Sequence, residues 1–268
     1  MGRFWELDAR KTLKMQVFLE TDENSRTFGW SDDKEDRTIA NVTPDGILNE
    51  AQKAALPDIV SALARRLAAV GEEASGLSNY YVRKLRHDVL LSECDLRLLE
   101  ILRQRRGQFR RVWEIGAGVG QLTAMLALDG HQVVAVERGG HRHAAMVEVL
   151  DVLQRHDPAA RAHVTATRGA FPEMAEGEDV GADAVVVLCC AFTGDQATYS
   201  AFEEALGRFA LGVIDFTRLF TEPPGGADGR QRAGTFSARY GIPATFVAGY
   251  RIPEENKTGD LFTIGRAR

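Results

Sequence analysis

From residue 110 onward, short apolar runs alternate with segments of helical periodicity. Residues 184–190 are almost entirely apolar, which is typical of a central parallel strand that is buried on both faces. The strands predicted from such runs are 110–115, 132–136, 163–167, 184–190 and 211–216. The helices predicted between them are 121–128, 141–155 and 195–209. This alternation predicts an α/β fold with a doubly wound, mostly parallel sheet.

Two patterns at the ends of this region complete the predicted sheet domain. Residues 244–252 and 261–266 are apolar segments on either side of the polar stretch PEENKTGD, which predicts a closing hairpin. In front of the first strand, residues 81–106 predict one long helix, and Gly107 is the residue expected to end it.

The first 80 residues have fewer periodic segments. Thr43 followed by Pro44 is typical of a helix N-terminus. One helical face is then marked by Ile59, Leu63, Leu67 and Val70. The stretch GEEASGLSN, residues 71–79, predicts a linker. We therefore predict an N-terminal, partly helical extension over 1–80, which could form a lid or substrate region, and a main domain over 81–268.

Composition and charge restrict the partners. The chain has 268 residues and a formal net charge of −5, which argues against a nucleic-acid partner because backbone binding needs a basic surface. Its three cysteines form no disulfide or zinc pattern, so we expect reduced thiols and a cytoplasmic location. No apolar run approaches the roughly 20 residues of a membrane span. The sequence leaves open whether the chain forms a homodimer.

Three glycines follow the first predicted strand, in the stretch VWEIGAGVGQ. Glycine at such a turn permits positive φ and a close approach of the backbone to a ligand. Glu137, at the tip of the second strand, is placed to accept hydrogen bonds from ribose hydroxyls. The dinucleotide fingerprint G-x-G-x-x-G fits less well, because Gln121 stands where its third glycine belongs. Glu114 would also repel a pyrophosphate, whereas it suits a ligand that carries an ammonium group.

The segments WEIGAGVG and VVAVE resemble the first motif and the acidic second-strand motif of class I S-adenosylmethionine-dependent methyltransferases. The resemblance covers roughly residues 85–268. It implies a seven-stranded, Rossmann-like sheet with one antiparallel strand, and S-adenosyl-L-methionine as the cofactor. By position, Glu114 and Gly116 would face the methionine end, and Glu137 would bind the ribose.

The complete cofactor site that this resemblance implies is Glu114, Gly116, Ala117, Gly118, Gly120, Gln121, Glu137, Arg138, Gly169, Ala170 and Cys190. Near the adenine amino group the family often has an acidic residue after the third strand. Here the stretch is RGAF, residues 168–171, so adenine recognition is expected to use backbone groups or another side chain. No metal ion is expected, since His141 and His143 point away from each other on a helix.

The acceptor is defined mainly by exclusion. The Pro-Pro motif of amino-methylating nucleic-acid enzymes, the paired glutamates of protein-arginine enzymes and the clustered ligands of metal-dependent catechol enzymes are not found. A small-molecule, sugar or natural-product acceptor, methylated on oxygen or nitrogen, is the remaining expectation. His87 and Asp195 are candidate bases, although Asp195 also fits a helix cap. Arg83 or Lys84 could pair with the cofactor carboxylate.

Several alternatives stay open at this stage. Asp215, at the end of the fifth strand, could border the acceptor site or begin a turn. The arginines between residues 103 and 111 fit either a nucleic-acid patch or, more simply, a solvated helix C-terminus. A non-catalytic cofactor-binding scaffold and an NAD(P)-dependent oxidoreductase are the alternative functions.

Overall fold

The structure is a computed structural model that describes residues 43–77, 81–82, 85, 90–187, 196–215, 229–252 and 257–265. Seven strands form one sheet in the order β3-β2-β1-β4-β5-β7-β6. The strands are β1 (Val112–Ile115), β2 (Val133–Glu137), β3 (Val164–Arg168), β4 (Ala184–Val187), β5 (Leu211–Asp215), β6 (Ala244–Ile252) and β7 (Lys257–Ile264). The first five are parallel, and β7 runs antiparallel to both β5 and β6. The predicted fold class is confirmed.

Helices precede and connect these strands. They are α1 (Pro44–Ile47), α2 (Glu50–Ser75), α3 (Glu93–Gln104), α4 (Gln121–Leu128), α5 (Gly140–His156), α6 (Pro158–Ala162), α7 (Gln196–Leu206) and α8 (Gly229–Tyr240). The bounds of the first three strands lie within two residues of those predicted. Strands β1 and β2 are mostly buried, whereas β3 is a partly exposed edge strand. Helix α8 was missed, since its polar sequence GRQRAGTFSARY has few apolar positions.

The sheet separates two hydrophobic clusters. Alternate residues of one strand belong to different clusters: Val186 packs with the residues of α2 to α5, and Val185 packs with the residues of α7 and α8. This alternation follows from the twofold side-chain period of a strand. The described residues therefore form three layers, with the sheet in the middle.

The long helix predicted over 81–106 is wrong in its extent. Helix α3 begins only at Glu93, where Ser92 and Asp95 form a reciprocal capping box. Ser92 Oγ accepts from the Asp95 backbone N–H, and the Asp95 carboxylate accepts from the Ser92 backbone N–H. Residues 81, 82 and 85 are helical, residues 90–92 are not, and the cap at Ser92 begins a new helix after that break. Gly107 follows α3 with φ +94°, as expected for a residue beyond a helix end.

The linker predicted over 71–79 is also wrong in its first half. Helix α2 continues to Ser75 across a kink at Gly71, and Leu77 beyond it is buried. Arg66 stabilises this end of α2, since it donates to the carbonyl oxygens of Ala74 and Ser75. Ile59 and Leu63 are fully buried, as predicted for the apolar face, whereas Val70 is 48% exposed. Ile59 and Leu63 belong to the hydrophobic cluster that also contains Val112, Val133 and Val186 of the sheet.

No helix within the described ranges has both the length and the apolar character that crossing a bilayer requires.

Candidate functional site

A glycine turn, residues 116–120, connects β1 to α4 at the carboxyl edge of the sheet. Strand β1 lies between β2 and β4, so the chain leaves β1 where the strand order reverses. Open α/β sheets bind their ligands at such a switch point, beyond the carboxyl ends of the strands. All three glycines have positive φ, between +60° and +81°. The candidate site is therefore centred on this turn.

The backbone N–H groups of the turn are largely used inside the protein. Gly116 and Ala117 both donate to the Val136 carbonyl oxygen, at 2.8 and 3.0 Å, and Gly120 donates to the Ala117 carbonyl oxygen. Gly118 donates to Glu137 Oε2 at 3.0 Å. The N–H groups of Gly116, Ala117, Gly118 and Gly120 therefore all have acceptors within the protein. Since a pyrophosphate needs such donors, the turn is poorly suited to a dinucleotide.

Two of the glycines are required by neighbouring side chains. A Cβ on Gly120 would lie 2.6 Å from Met146 Cγ, so this glycine allows α5 to pack against the turn. A Cβ on Gly118 would lie 2.6 Å from the Tyr81 hydroxyl oxygen, and its three nearest atoms all belong to Tyr81. The motif predicted the glycines but not Tyr81, which is far away in sequence and adjacent in space.

Glu137 ends β2 and is buried, as its predicted role at the ribose requires. Its Oε1 accepts from Gly139 N at 2.6 Å and from Arg142 Nε and Nη2 at 2.9 and 2.8 Å. Its Oε2 has one donor within the described part of the chain, Gly118 N. Because a carboxylate oxygen has two lone pairs, Oε2 retains the capacity to accept one more hydrogen bond.

Glu114 lies inside β1 and is fully buried. Its Oε2 accepts from Thr123 Oγ1 at 2.6 Å, while its Oε1 has no hydrogen-bond partner among the described residues. Burial raises the pKa of Glu114 to about 8, the Thr123 hydrogen bond opposes this, and the charges of Asp95 and Glu137 add to it. A cationic donor next to Glu114 would satisfy the oxygen and reverse this shift.

Gln121 is the first residue of α4 and its side chain is also buried. Its Nε2 approaches the Tyr81 hydroxyl at 3.5 Å, and its Oε1 has no partner in the ranges that the structure describes. A buried amide oxygen without a donor is destabilising by roughly 1–3 kcal/mol. Glu114 and Gln121 therefore place two unsatisfied acceptors next to the glycine turn.

The expected adenine end of the site is formed after β2 and β3. Arg138 is exposed, while Gly169 and Ala170 are partly exposed. A Cβ on Gly169 would lie 2.3 Å from Met174 Sδ, so a thioether packs where the family often has an acid. This packing provides an apolar surface rather than a hydrogen-bond acceptor.

The catalytic assignments cannot be placed in the same way. His87, Asp195, Cys190, Arg83 and Lys84 lie outside the described residues, so their predicted roles stay predictions. Asp215 does lie within the description, at the end of β5. It is buried and accepts a hydrogen bond from the Tyr250 hydroxyl of β6, and its predicted place beside the acceptor site stays a prediction.

Four of the arginines between residues 103 and 111 pair with buried acids, so the end of α3 is not merely solvated. Arg103 binds Asp129 at 2.8 Å, and Arg110 and Arg111 both bind Asp183, at 3.1 and 2.8 Å. Sequence reasoning missed these ion pairs because both acids come from later connections. Within the described residues, no group of three or more histidine, cysteine or acidic side chains is arranged to hold a metal ion.

No protein-family model matches the chain, and no curated protein matches its sequence. Solved structures do match its fold. The methyltransferase domain of bacterial CtHen1-C superposes with a TM-score of 0.51 at 15% identity, over 66% of this chain and 98% of that one. A Klebsiella pneumoniae protein, provisionally assigned as an O-methyltransferase, gives 0.50 at 18% identity, over 78% and 88% of the two chains. The chain thus has the seven-stranded fold of class I S-adenosylmethionine-dependent methyltransferases.

Proposed function

We propose that this protein is a methyltransferase that uses S-adenosyl-L-methionine and methylates an oxygen or nitrogen atom of a small-molecule, sugar or natural-product acceptor. The observation that carries the proposal is the pair of buried carboxylates on either side of the glycine turn. Glu114 has an unpartnered oxygen among the described residues, and Glu137 has a spare acceptor position. They stand at the switch point of a sheet with the methyltransferase strand order.

The chemistry of these residues fits this cofactor. Its amino-acid end carries an ammonium group, which can donate to the unsatisfied oxygens of Glu114 and Gln121. Its ribose hydroxyls can donate to Glu137 Oε2. A dinucleotide is disfavoured, since the N–H groups of Gly116, Ala117, Gly118 and Gly120 already donate within the protein and a pyrophosphate needs such donors.

When bound, the cofactor supplies an electrophilic methyl group on a sulfonium sulfur. The chain then has to hold the ligand in line with the acceptor and exclude water from it. Glu137 would orient the ribose, since Arg142 and two backbone N–H groups fix its carboxylate. Glu114 and Gln121 would hold the opposite end. An acceptor hydroxyl also needs a base, for which His87 and Asp195 stay the candidates.

The acceptor and the location belong to the same proposal. The net charge of −5 supports an acceptor that is not a polyanion. Three cysteines without a disulfide pattern support a cytoplasmic protein.

Calorimetric titration with S-adenosyl-L-homocysteine tests the cofactor assignment. Glu137→Ala is expected to weaken binding by about 1–3 kcal/mol, because it removes a charged hydrogen-bond acceptor. Exposed Glu176 provides the matched control, and Glu176→Ala is expected to leave the affinity unchanged. A wild-type protein that binds NADPH and not the homocysteine product would contradict the proposal. Tight product binding without methyl transfer to a broad acceptor panel would instead favour a non-catalytic scaffold.

A further inference from the structure

Helices α2 and α5 pack side by side on one face of the sheet and run in opposite directions. Asp58 of α2 pairs with His156 of α5 at 2.8 Å. Further along, Arg66 of α2 pairs with Glu148 of α5, and Gly76, just after α2, lies against the start of α5. Residue numbers therefore rise along α2 as they fall along α5, and these contacts fix which residues of the two helices lie level with each other.

A groove of about 360 Å³ opens between the two helices. It exists because small side chains such as Ala69 leave space between the helix axes unfilled. Val70 lines the groove and is 48% exposed, and Val147 of α5 is 43% exposed. In the described part of the chain, these two are the exposed large apolar side chains. We call the surface around the groove, formed by residues 58–70 of α2 and 147–156 of α5, the α2–α5 face.

The charged side chains of the α2–α5 face are not all paired within the chain. Arg65 of α2 and Asp151 and Arg155 of α5 line the groove and are exposed. None of the three forms an ion pair with another described residue. In the register that Arg66 and Glu148 set, Asp151 lies within about 3 Å, along the helix axis, of the level of Arg65. Opposite charges therefore stand at nearly the same level on the two sides of the groove.

A twofold axis along the groove, parallel to the helices, makes this face complementary to itself. The rotation keeps every level along the helices and lays α5 of one copy over α2 of the other. Arg65 of one copy then meets Asp151 of the other. By the same register Arg155 meets Asp58, and the symmetry forms each pair twice. The two exposed valines of the face come within about one helical turn of each other across the contact.

The size of the face agrees with a weak dimer. Helix α5 has 17 residues and is about 25 Å long, and two neighbouring helices are together about 20 Å wide. Each copy therefore contributes about 500 Å², and the pair buries about 1,000 Å², which is near the lower limit of specific interfaces. We expect a reversible dimer with a dissociation constant in the micromolar range.

We propose that the α2–α5 face binds a second copy of this chain through a twofold axis along the groove, with Arg65 of each copy paired to Asp151 of the other. Because the axis runs along the helices, the carboxyl edges of the two sheets point the same way. The dimer does not depend on the proposed function, since none of the residues that form it belongs to the candidate site.

Sedimentation velocity of the full chain, from about 1 to 300 μM, tests the dimer. We expect the wild type to shift from monomer to dimer over this range. Arg65→Asp and Asp151→Arg each place like charges opposite each other twice per dimer, so each should weaken association at least about tenfold. The double variant, which carries both substitutions, restores opposite charges and should associate within about threefold of wild type.

Glu204→Arg is the matched control, because it reverses the charge of an exposed residue on α7. The buried residues of α7 belong to the cluster on the other side of the sheet, so Glu204 is remote from the α2–α5 face. This variant should associate as the wild type does. Thermal unfolding of every variant establishes that it is folded at the temperature of the sedimentation runs.

Three results would overturn the proposal. A wild type that sediments as a monomer over the whole concentration range would mean that the face does not bind a second copy. A dimer that neither single variant weakens would lie on another surface. A double variant that stays as weak as the single ones would contradict the pairing of Arg65 with Asp151, and with it the twofold arrangement. None of these results bears on the proposed function, whose test is ligand binding.

Discussion

Two buried carboxylates of the sheet, Asp183 at its amino edge and Glu114 near its carboxyl edge, differ in whether the described residues satisfy both of their oxygens. At the amino edge, Asp183 is fully buried and both of its oxygens have donors: Arg110, Arg111 and the Trp113 indole N–H, at 2.8 to 3.1 Å. Asp129, in the connection that leads to β2, is similarly bound by Arg103. Burial raises the pKa of Asp129, but the hydrogen bonds of His131 and Arg103 outweigh this effect and lower the pKa below its ordinary value.

At the carboxyl edge, Glu114 has one hydroxyl donor and one unsatisfied oxygen within the described residues. No arginine among the described residues pairs with it, and burial raises its pKa to about 8. Both edges belong to the same sheet, so the difference does not come from depth in the core. It indicates that the amino edge is complete without a ligand, whereas the carboxyl edge leaves acceptors for one.

The largest change in stability should follow from removing Asp183, the buried acid at the amino edge of the sheet. Asp183→Ala leaves a buried indole N–H and Arg111 without their acceptor, so we expect the free energy of unfolding to fall by about 3 kcal/mol. Urea denaturation followed by circular dichroism measures this. Glu176→Ala, an exposed acid, is expected to change stability by less than about 0.5 kcal/mol. If Asp183→Ala lowered the free energy of unfolding no more than Glu176→Ala does, the hydrogen bonds of Asp183 would not contribute to stability.

A substitution in the glycine turn should act on binding. In Gly118→Val a Cβ would meet the Tyr81 hydroxyl at 2.6 Å in a backbone conformation of φ +60°. We expect the affinity for S-adenosyl-L-homocysteine to fall by roughly a hundredfold or more, close to 3 kcal/mol. Gly177 is the control, since it has φ +77° with nothing within 4 Å of a Cβ. Equal losses of affinity in Gly118→Val and Gly177→Val would show that backbone strain alone is responsible.

The unsatisfied carboxyl group should make stability depend on pH. Folded Glu114 holds its proton up to a pKa of about 8, whereas the unfolded chain releases it near the ordinary value of 4.5. Between these values the folded state binds more protons, so stability falls as pH rises. From pH 6 to pH 8 this group should lower the free energy of unfolding by about 2 kcal/mol.

Glu114→Gln removes this contribution and keeps the shape of the side chain. Urea denaturation of wild type and variant at both pH values measures the difference in slope. Parallel pH profiles in the two proteins would argue that Glu114 is ionised in the folded state. The same variant also tests the ligand, because binding of an ammonium group to wild-type Glu114 should release a proton near pH 7.

Much of the fold could be predicted because its central strands are buried on both faces and stand out as apolar runs. The segment GEEAS gave no such signal: polar residues indicated a linker, while contacts of Arg66 with the end of α2 and with Glu148 hold it in a helix. Helix α8 was missed for the same reason. In both places tertiary contacts, rather than local propensity, decide the structure.

The site could be predicted where one short segment contains its chemistry. The motifs that predicted the site are the end of β1 with the glycine turn that follows it, which contain Glu114 and Gly118, and the end of β2, which contains Glu137. The stretch NYYVRKLRHD, which contains Tyr81, drew attention only through the family resemblance, and the role of Asp183 was not predicted at all. Their partners come from other connections, and the pairing of Asp183 with arginines in front of β1 depends on the sheet order.

Gly76 has a practical consequence for anyone who wishes to graft this sheet onto another protein. A Cβ there would lie 2.4 Å from the His141 backbone, so the chain in front of the sheet touches the first turn of α5 with no side chain between them. Together with buried Leu48 and Ile59, this contact makes α2 part of what has to be transplanted. A portable unit cut at residue 81 would therefore expose the apolar side chains that α2 covers in the hydrophobic cluster that it shares with the sheet.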